Sequence, residues 1–389
     1  MGAERSPGVI AVASPLLARP GAVEATGPDA GVAWHYGDPT AEQRALAAGR
    51  AIVDQSHLGV VTVTGPDRLT WLDSLCTQAI GSLAPGESTE LMILTPTGRI
   101  EHVAAAVDDG ETTWLITETA PGLAAFLDRM RFMLRVEVAD VSAAWAALGE
   151  ACDDPGEPGG PVTWVDHWPG VREGGTSYAA GDEPAPRPWR LVLVPRAQLE
   201  AAVDERRARG WTLAGTWASE ALRIAAHRPR AATEVDELSL PHEYDWLRTA
   251  VHLHKGCYRG QETVAKVHNV GRPPRRLTLL HLDGSDAVLP EPGAAVTIGS
   301  GEAVREAGHV TSVARHHELG PIALAVIKRA TDPSATLAVA TDSGPVAASQ
   351  ELIVNADGFS VDRPPPPGPT MRGLLMGKGC SADGGDIPA

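Results

Sequence analysis

The chain has 389 residues, with 49 acidic against 33 basic side chains and a formal net charge of −16. That length exceeds one ordinary core and indicates two or three domains, while 43% hydrophobic and 21% charged content is that of a folded globular protein. So acidic a surface repels phosphate backbones and anionic headgroups, which argues against nucleic acid or membrane as the main partner, and no apolar run approaches the roughly 18 residues that span a bilayer.

Residues 1–30, rich in Ala, Gly and Pro without periodicity, are expected to form a flexible extension. The mildly apolar stretch 9–18 is interrupted by Pro15 and does not read as a signal peptide. Cys76, Cys152, Cys257 and Cys380 form no CxxC pair, so free thiols in a reducing, cytoplasmic setting are expected.

Residues 31–150 read as a first α+β domain. Residues 41–51 have helical composition, Val60 to Thr64 is a β-branched strand, and Leu69, Leu72 and Leu75 are spaced for a helix from Pro66. Strands at 90–94, 100–107 and 112–117 precede a helix over 121–130, an alternation of hairpins and helices typical of α+β folds. A second α+β domain is expected over 151–275. It begins with a Gly-, Pro- and acid-rich junction carrying Trp164, Trp168 and Trp189, then continues through a strand at 190–194 and helices at 196–209 and 217–226. From 276 to 362 the pattern is purely β, with five or six short strands that suggest a small closed barrel, and residues 363–389 open on a proline run that cannot build a core.

The segment 251–276 carries six cations (Lys255, Arg259, Lys266, Arg272, Arg275 and Arg276) against the single acid Glu262, a local charge of +5. Within it, Lys255-Gly256-Cys257-Tyr258-Arg259-Gly260-Gln261-Glu262 concentrates chemistry. Lysine can meet a carboxylate, cations beside a thiol favour its thiolate form, and glycine lets backbone turn tightly or approach a ligand. The plainer alternative is a Gly-punctuated turn with a buried cysteine. His252, His254, Cys257 and His268 are zinc-type ligands, but their spacing matches no closed site and nearby cations oppose a divalent ion, so no metal is assigned. Cys76 ends an apolar helix and reads as core, and His316-His317-Glu318 reads as a solvated turn.

The unbroken Lys255–Glu262 stretch resembles the Lys-Gly-Cys-Tyr-x-Gly-Gln-Glu signature of the YgfZ family, folate-binding relatives of the glycine-cleavage T-protein that assist iron–sulfur cluster assembly or repair. The stretch from Gly49 to Gly59, followed by Val63-Thr64-Gly65-Pro66-Asp67, is similar to the opening of the T-protein superfamily, and Thr95 to Ile100 to its next hairpin; the likeness covers roughly residues 35–345. It implies two α+β domains, the first of folate-binding type, around a central cavity with a C-terminal β-barrel. Where T-proteins carry paired aspartates after the hairpin glycine, this chain has Glu101-His102. Where the family carries Arg-Ile-Glu-Ala-Gly-x-Pro, it has Arg223-Ile224-Ala225-Ala226-His227-Arg228-Pro229, so the expected glutamate is Ala225.

The resemblance implies a tetrahydrofolate-binding accessory protein that supports iron–sulfur enzymes, with iron–sulfur proteins or their assembly factors as partners and Lys255 and Cys257 carrying the chemistry. Candidate folate contacts are Lys255, Tyr258, Arg259, Gln261, Glu262 and Glu101, with Tyr258, Trp217 or Trp246 as a pterin slot. One alternative is a folate-dependent aminomethyl- or methyltransferase using Glu101 as acid–base residue. The other is a non-catalytic docking module.

Overall fold

A computed structural model describes residues 12–156, 159–181, 186–285, 288–299 and 301–363. The tail expected from residue 363 lies outside these from 364 onward, with Cys380, as do residues 1–11. The flexible extension expected over 1–30 is corrected from residue 12. Leu16 is fully buried, Arg19 pairs with Asp204 at 3.0 Å, and buried Asp29 pairs with Arg230 at 2.6 Å. A composition without periodicity gave no sign of these distant partners.

The first sheet is antiparallel, in the order Ser88–Leu94, Ile100–Asp108, Thr112–Thr117, Gly59–Thr64, Glu137–Asp140. β-Branched side chains suit its pleated surface, as in the Gly59–Thr64 run of Val and Thr. The second sheet runs Thr163–Val165, Arg190–Pro195, Trp145–Glu150, Ala51–Asp54, Thr212–Ala214, with the last two strands parallel. Its strands Ala51–Asp54 and Trp145–Glu150 precede residue 150 but pair with strands that follow it, so the sheets do not divide at 150. Val53 of the second sheet and Val60, Val107 and Ile116 of the first share one core. The helix read over 41–51 is observed at Pro39–Ala47, and its expected end is instead a fully buried strand.

Six antiparallel strands close the C-terminal barrel, in the order Arg275–Leu282, Gly320–Lys328, Arg305–His316, Ala295–Ile298, Leu337–Val339, Val346–Leu352. The two-residue period of a strand separates its faces. Leu280, Ala323 and Ala325 join Val296, Val310 and Val339 in one core, whereas Leu277, Leu279, Ile322 and Leu324 pack in another with Ala221 and Ile224 of the helix Thr216–Ala225. That helix therefore lies between the sheets and the barrel, where it can present side chains to spaces on two sides.

Candidate functional site

The Lys255–Glu262 segment forms a loop that leads into the helix Gln261–Asn269. Lys255 is its anchor. The ammonium is 3% exposed, donates to the carbonyls of Asp73, Cys76 (3.0 Å) and Gln78 (2.7 Å), and lies 3.3 Å from the Asp73 carboxylate. Asp73 belongs to the last turn of the helix Arg68–Leu75, whose final carbonyls lack intrahelical donors, so Lys255 caps that terminus from a distant part of the chain. Burial pushes the nearby Cys76 thiol up to about 11 although Lys255 opposes the shift. Cys76 is a core residue.

Tyr258 is buried in the core beneath Lys255, whose Nζ lies 5.7 Å from the ring centroid, and burial raises its hydroxyl above the ordinary range. Arg259 donates to Glu101 at 2.9 Å, and both side chains are about one-third exposed. Gln261 reaches back to the Gly256 carbonyl at 3.5 Å, and Glu262 and Cys257 are exposed. Gly260 has φ +83°, and a Cβ there would sit 2.6 Å from the Thr95 carbonyl oxygen and 2.9 Å from the Gly98 Cα. Its role is close approach to the Thr95–Arg99 turn. The loop therefore fastens two pieces of backbone together and leaves the Cys257 thiol in solvent.

The +5 segment does not form one cationic wall. Lys255 and Arg259 are paired, Arg275 bridges Asp236 (2.6 Å) and Glu243 (2.7 Å), and Arg276 is buried at the barrel end, donating to the carbonyls of Arg329 and Thr331 and to Gln350. His268 lies beside Tyr178 and Ser360, and among the described residues no group of three or more His, Cys, Asp or Glu is placed to hold a metal ion.

A separate central cavity of about 160 Å³ opens between the sheets and the helix Thr216–Ala225. Thr216, Ser219, Glu220 and Arg223 line it at offsets of three, four and seven, one helical face. The first sheet contributes Glu90, Val103 and Thr117, the turn after it Glu118, and Trp164, Trp189 and Trp246 supply flat walls. Arg228 meets Glu90 at 2.8 Å and Asp166 at 3.0 Å; burial disfavours its charge, but the two carboxylates prevail and raise it above its usual range. Burial likewise opposes the charge of Asp29, yet Arg230 and His57 hold it well below the carboxylate range. Arg230 also pairs with Glu118, and Arg223 joins Glu220 (2.8 Å) to Glu234 (3.1 Å) and to Ser312 of the barrel (2.8 Å). Orphan polar atoms remain at Thr216 Oγ1 and Arg228 Nη1.

Of the residues singled out in the sequence, only Trp246 lines this cavity; Lys255, Cys257, Tyr258, Arg259, Gln261, Glu262 and Glu101 do not, and Trp217 stacks instead on Trp34 at 5.3 Å. Sequence reasoning missed the arginines at 223, 228 and 230 and the tryptophans at 164 and 189. The signal was present in the Arg228-Pro229-Arg230 run after the helix and in three tryptophans within a segment read as loop.

Residues 26–149 match the family described as the GCVT N-terminal domain. The chain is 25% identical over 291 residues to "Putative transferase At1g60990, chloroplastic" of Arabidopsis thaliana, covering 68% of this chain and 62% of that protein. It is 26% identical over 332 residues to an aminomethyltransferase of Streptomyces coelicolor (79% of this chain, 86% of the relative), and 28% identical over 306 residues to one from Moorella thermoacetica (72% and 79%). The solved glycine cleavage system aminomethyltransferase T from Bartonella henselae superposes with a TM-score of 0.70 at 15% identity, over 87% of this chain and 95% of that one, and so shares its fold.

Proposed function

We propose that the chain is a member of the aminomethyltransferase (T-protein) superfamily and, within it, a folate-binding accessory protein that supports iron–sulfur enzymes; the match of residues 26–149 to the GCVT N-terminal domain and the 26–28% identity to aminomethyltransferases support the first part. One observation carries the choice over aminomethyl transfer: an anchored loop presents the Cys257 thiol to solvent, while Glu101, the candidate acid–base residue, is tied to Arg259 and does not line the cavity. In this reading Lys255 positions the loop and does no chemistry, and Cys257 meets the client protein at the surface.

The cavity suits the bicyclic head of a folate. Trp164 and Trp246 offer stacking faces, and Thr216 Oγ1 and Arg228 Nη1 offer unsatisfied polar atoms. Its 160 Å³ is below the roughly 300 Å³ at which pockets for drug-sized ligands begin, so a glutamyl tail would extend outside it. A reduced folate would supply a carrier for a one-carbon unit there.

The test pairs calorimetry with complementation. Purified protein titrated with tetrahydrofolate is expected to bind one equivalent, and Cys257→Ala is expected to retain that binding while failing to restore an iron–sulfur enzyme in cells lacking the native protein. Full rescue by Cys257→Ala removes the thiol from the function. Turnover of an aminomethylated carrier would return the chain to the transferase class named by its relatives.

A further inference from the structure

The opposite side of the helix Thr216–Ala225 faces a second space. Leu222 and Ala225 line an outer crevice with Leu279 of the barrel, Leu319 of the turn before the barrel strand Gly320–Lys328 and the strap 186–189. Its volume is about 500 Å³, which lies inside the roughly 300–1,000 Å³ range of small-molecule pockets. Arg187 and Trp189 line both this crevice and the central cavity, and so separate them.

Arg187 is unusual among the arginines of the cavity lining. Its guanidinium lies over the Trp189 ring at 4.1 Å, its Nε is buried with no acceptor, and no ion pair to it is found among the described residues. Burial lowers its pKa to about 10, which leaves it charged at neutral pH. A guanidinium with one face covered by an aromatic ring still offers its edge as a two-pronged donor, the geometry that matches a carboxylate.

The sequence suggested that His316 and His317 lie in a solvated turn, and the structure corrects this. His316 is buried, and its Nδ1 accepts from the backbone N–H of Glu318 and Leu319 at 3.2 and 3.1 Å, which leaves the proton on Nε2. The His317 side chain is 10% exposed, with Nδ1 buried and unpartnered, and the two rings are 4.5 Å apart. Both line the crevice. An unpaired cation and an orphan imidazole nitrogen thus border one space; of the two carboxylates that also line it, Glu351 is engaged by His227 at 3.2 Å and His281 at 2.7 Å and Glu318 is exposed to solvent, and the remaining walls are flat or aliphatic. Ala225 and His227 also line it, the positions at which this chain departs from the Arg-Ile-Glu-Ala-Gly-x-Pro stretch, and His227 holds a left-handed φ of +57°.

We propose that this outer crevice is a binding site for a small aromatic carboxylate, with Arg187 gripping the carboxylate and Trp189, His316, Leu279 and Leu319 enclosing the ring. The site is separate from the central cavity and does not depend on what that cavity binds.

Indole-3-acetate and its neutral amide, indole-3-acetamide, test the proposal by calorimetry on the full-length chain. The acid is expected to bind one equivalent at least about ten-fold more tightly than the amide, and Arg187→Gln to abolish that preference. Ala225→Phe, which fills the crevice, is expected to abolish binding of both; circular dichroism of each variant checks the fold. Equal affinity for acid and amide, an unchanged preference in Arg187→Gln, or no heat from the acid at about 1 mM overturns the proposal. Tetrahydrofolate is the distinguishing arm. Undiminished acid binding in its presence is expected, and competition between the two would show one continuous site and refute a separate one, whereas absence of folate binding alone would sink the central-cavity reading and leave this one standing.

Discussion

Replacing Lys255 with Met separates the two roles a lysine in this motif can have. Met keeps the stem and removes the ammonium, so the carbonyls of Asp73, Cys76 and Gln78 lose their common donor and the Asp73 carboxylate loses a partner at 3.3 Å. Hydrogen bonds from a charged donor contribute about 1.5–3 kcal/mol each, part of which is offset because a buried charge is no longer desolvated. A net loss on the order of 3–5 kcal/mol follows, comparable with breaking a buried ion pair. In a chain of this size that corresponds to a fall in melting temperature on the order of 5 °C. The loss should be local before it is global. Asp73 Oδ1 also accepts from the amides of Ile80 and Gly81 at 2.8 and 3.1 Å, so hydrogen exchange at those two amides should accelerate in Lys255→Met well below the melting transition. Unchanged melting and unchanged exchange, combined with lost support of an iron–sulfur enzyme, would refute the anchoring argument and restore Lys255 as a chemical participant.

Three further outcomes are expected. Gly260→Ala forces a Cβ against the Thr95 carbonyl at a φ of +83° and should destabilise by more than about 2 kcal/mol, whereas Gly256→Ala, whose Cβ meets nothing within 4 Å, should stay within about 1 kcal/mol in the same thermal melts. Glu101→Gln breaks a part-exposed pair with Arg259 and should change stability by less than about 1 kcal/mol while iron–sulfur support persists; loss of a folate-dependent transfer activity in that variant would instead identify Glu101 as catalytic. His242, held neutral by burial with a pKa near 3 while its Nε2–H donates to the Val264 carbonyl at 3.2 Å, cannot take up the proton that the unfolded chain binds below about pH 6.5. Its contribution should therefore reduce stability by about 1.4 kcal/mol per pH unit between roughly pH 6.5 and 3, and His242→Gln should flatten the melting-temperature profile between pH 7 and 5 by comparison with the native chain.

What was legible in the sequence was periodic or contiguous. The barrel strands, the helix Ala120–Met130 and the helix Thr216–Ala225 follow from alternating or helical runs long enough to show a period. The strand Ala51–Asp54 was hidden because four buried residues directly after a helix carry no period of their own. The cavity was hidden for a different reason. Its ion pairs join residues far apart in the chain, as Arg228 does with Glu90, and nothing local to either residue announces the partner. The Lys255–Glu262 motif shows the converse: its composition drew attention correctly, but only the fold reveals that its lysine is spent on the end of a helix nearly two hundred residues earlier.

The same distinction bears on how an anion could be recognised. A charge of +5 over 251–276 suggests attraction when read along the chain, yet Lys255, Arg259 and Arg275 are neutralised by Asp73, Glu101, Asp236 and Glu243, Arg276 is committed to the barrel, and the remaining two, Arg272 over the Phe359 ring and exposed Lys266, line neither cavity. The central cavity is similarly balanced, with Arg223, Arg228 and Arg230 each holding carboxylates. A ligand carboxylate entering there would have to displace an internal one, and removing either partner of a buried pair is costly. Selective recognition of an anion therefore falls to a cation whose charge has not been spent, and among the arginines described around these cavities Arg187 is the one with no ion pair. Its place between the inner and outer spaces makes the outer crevice, rather than the motif that dominates the sequence, the place to look for carboxylate binding.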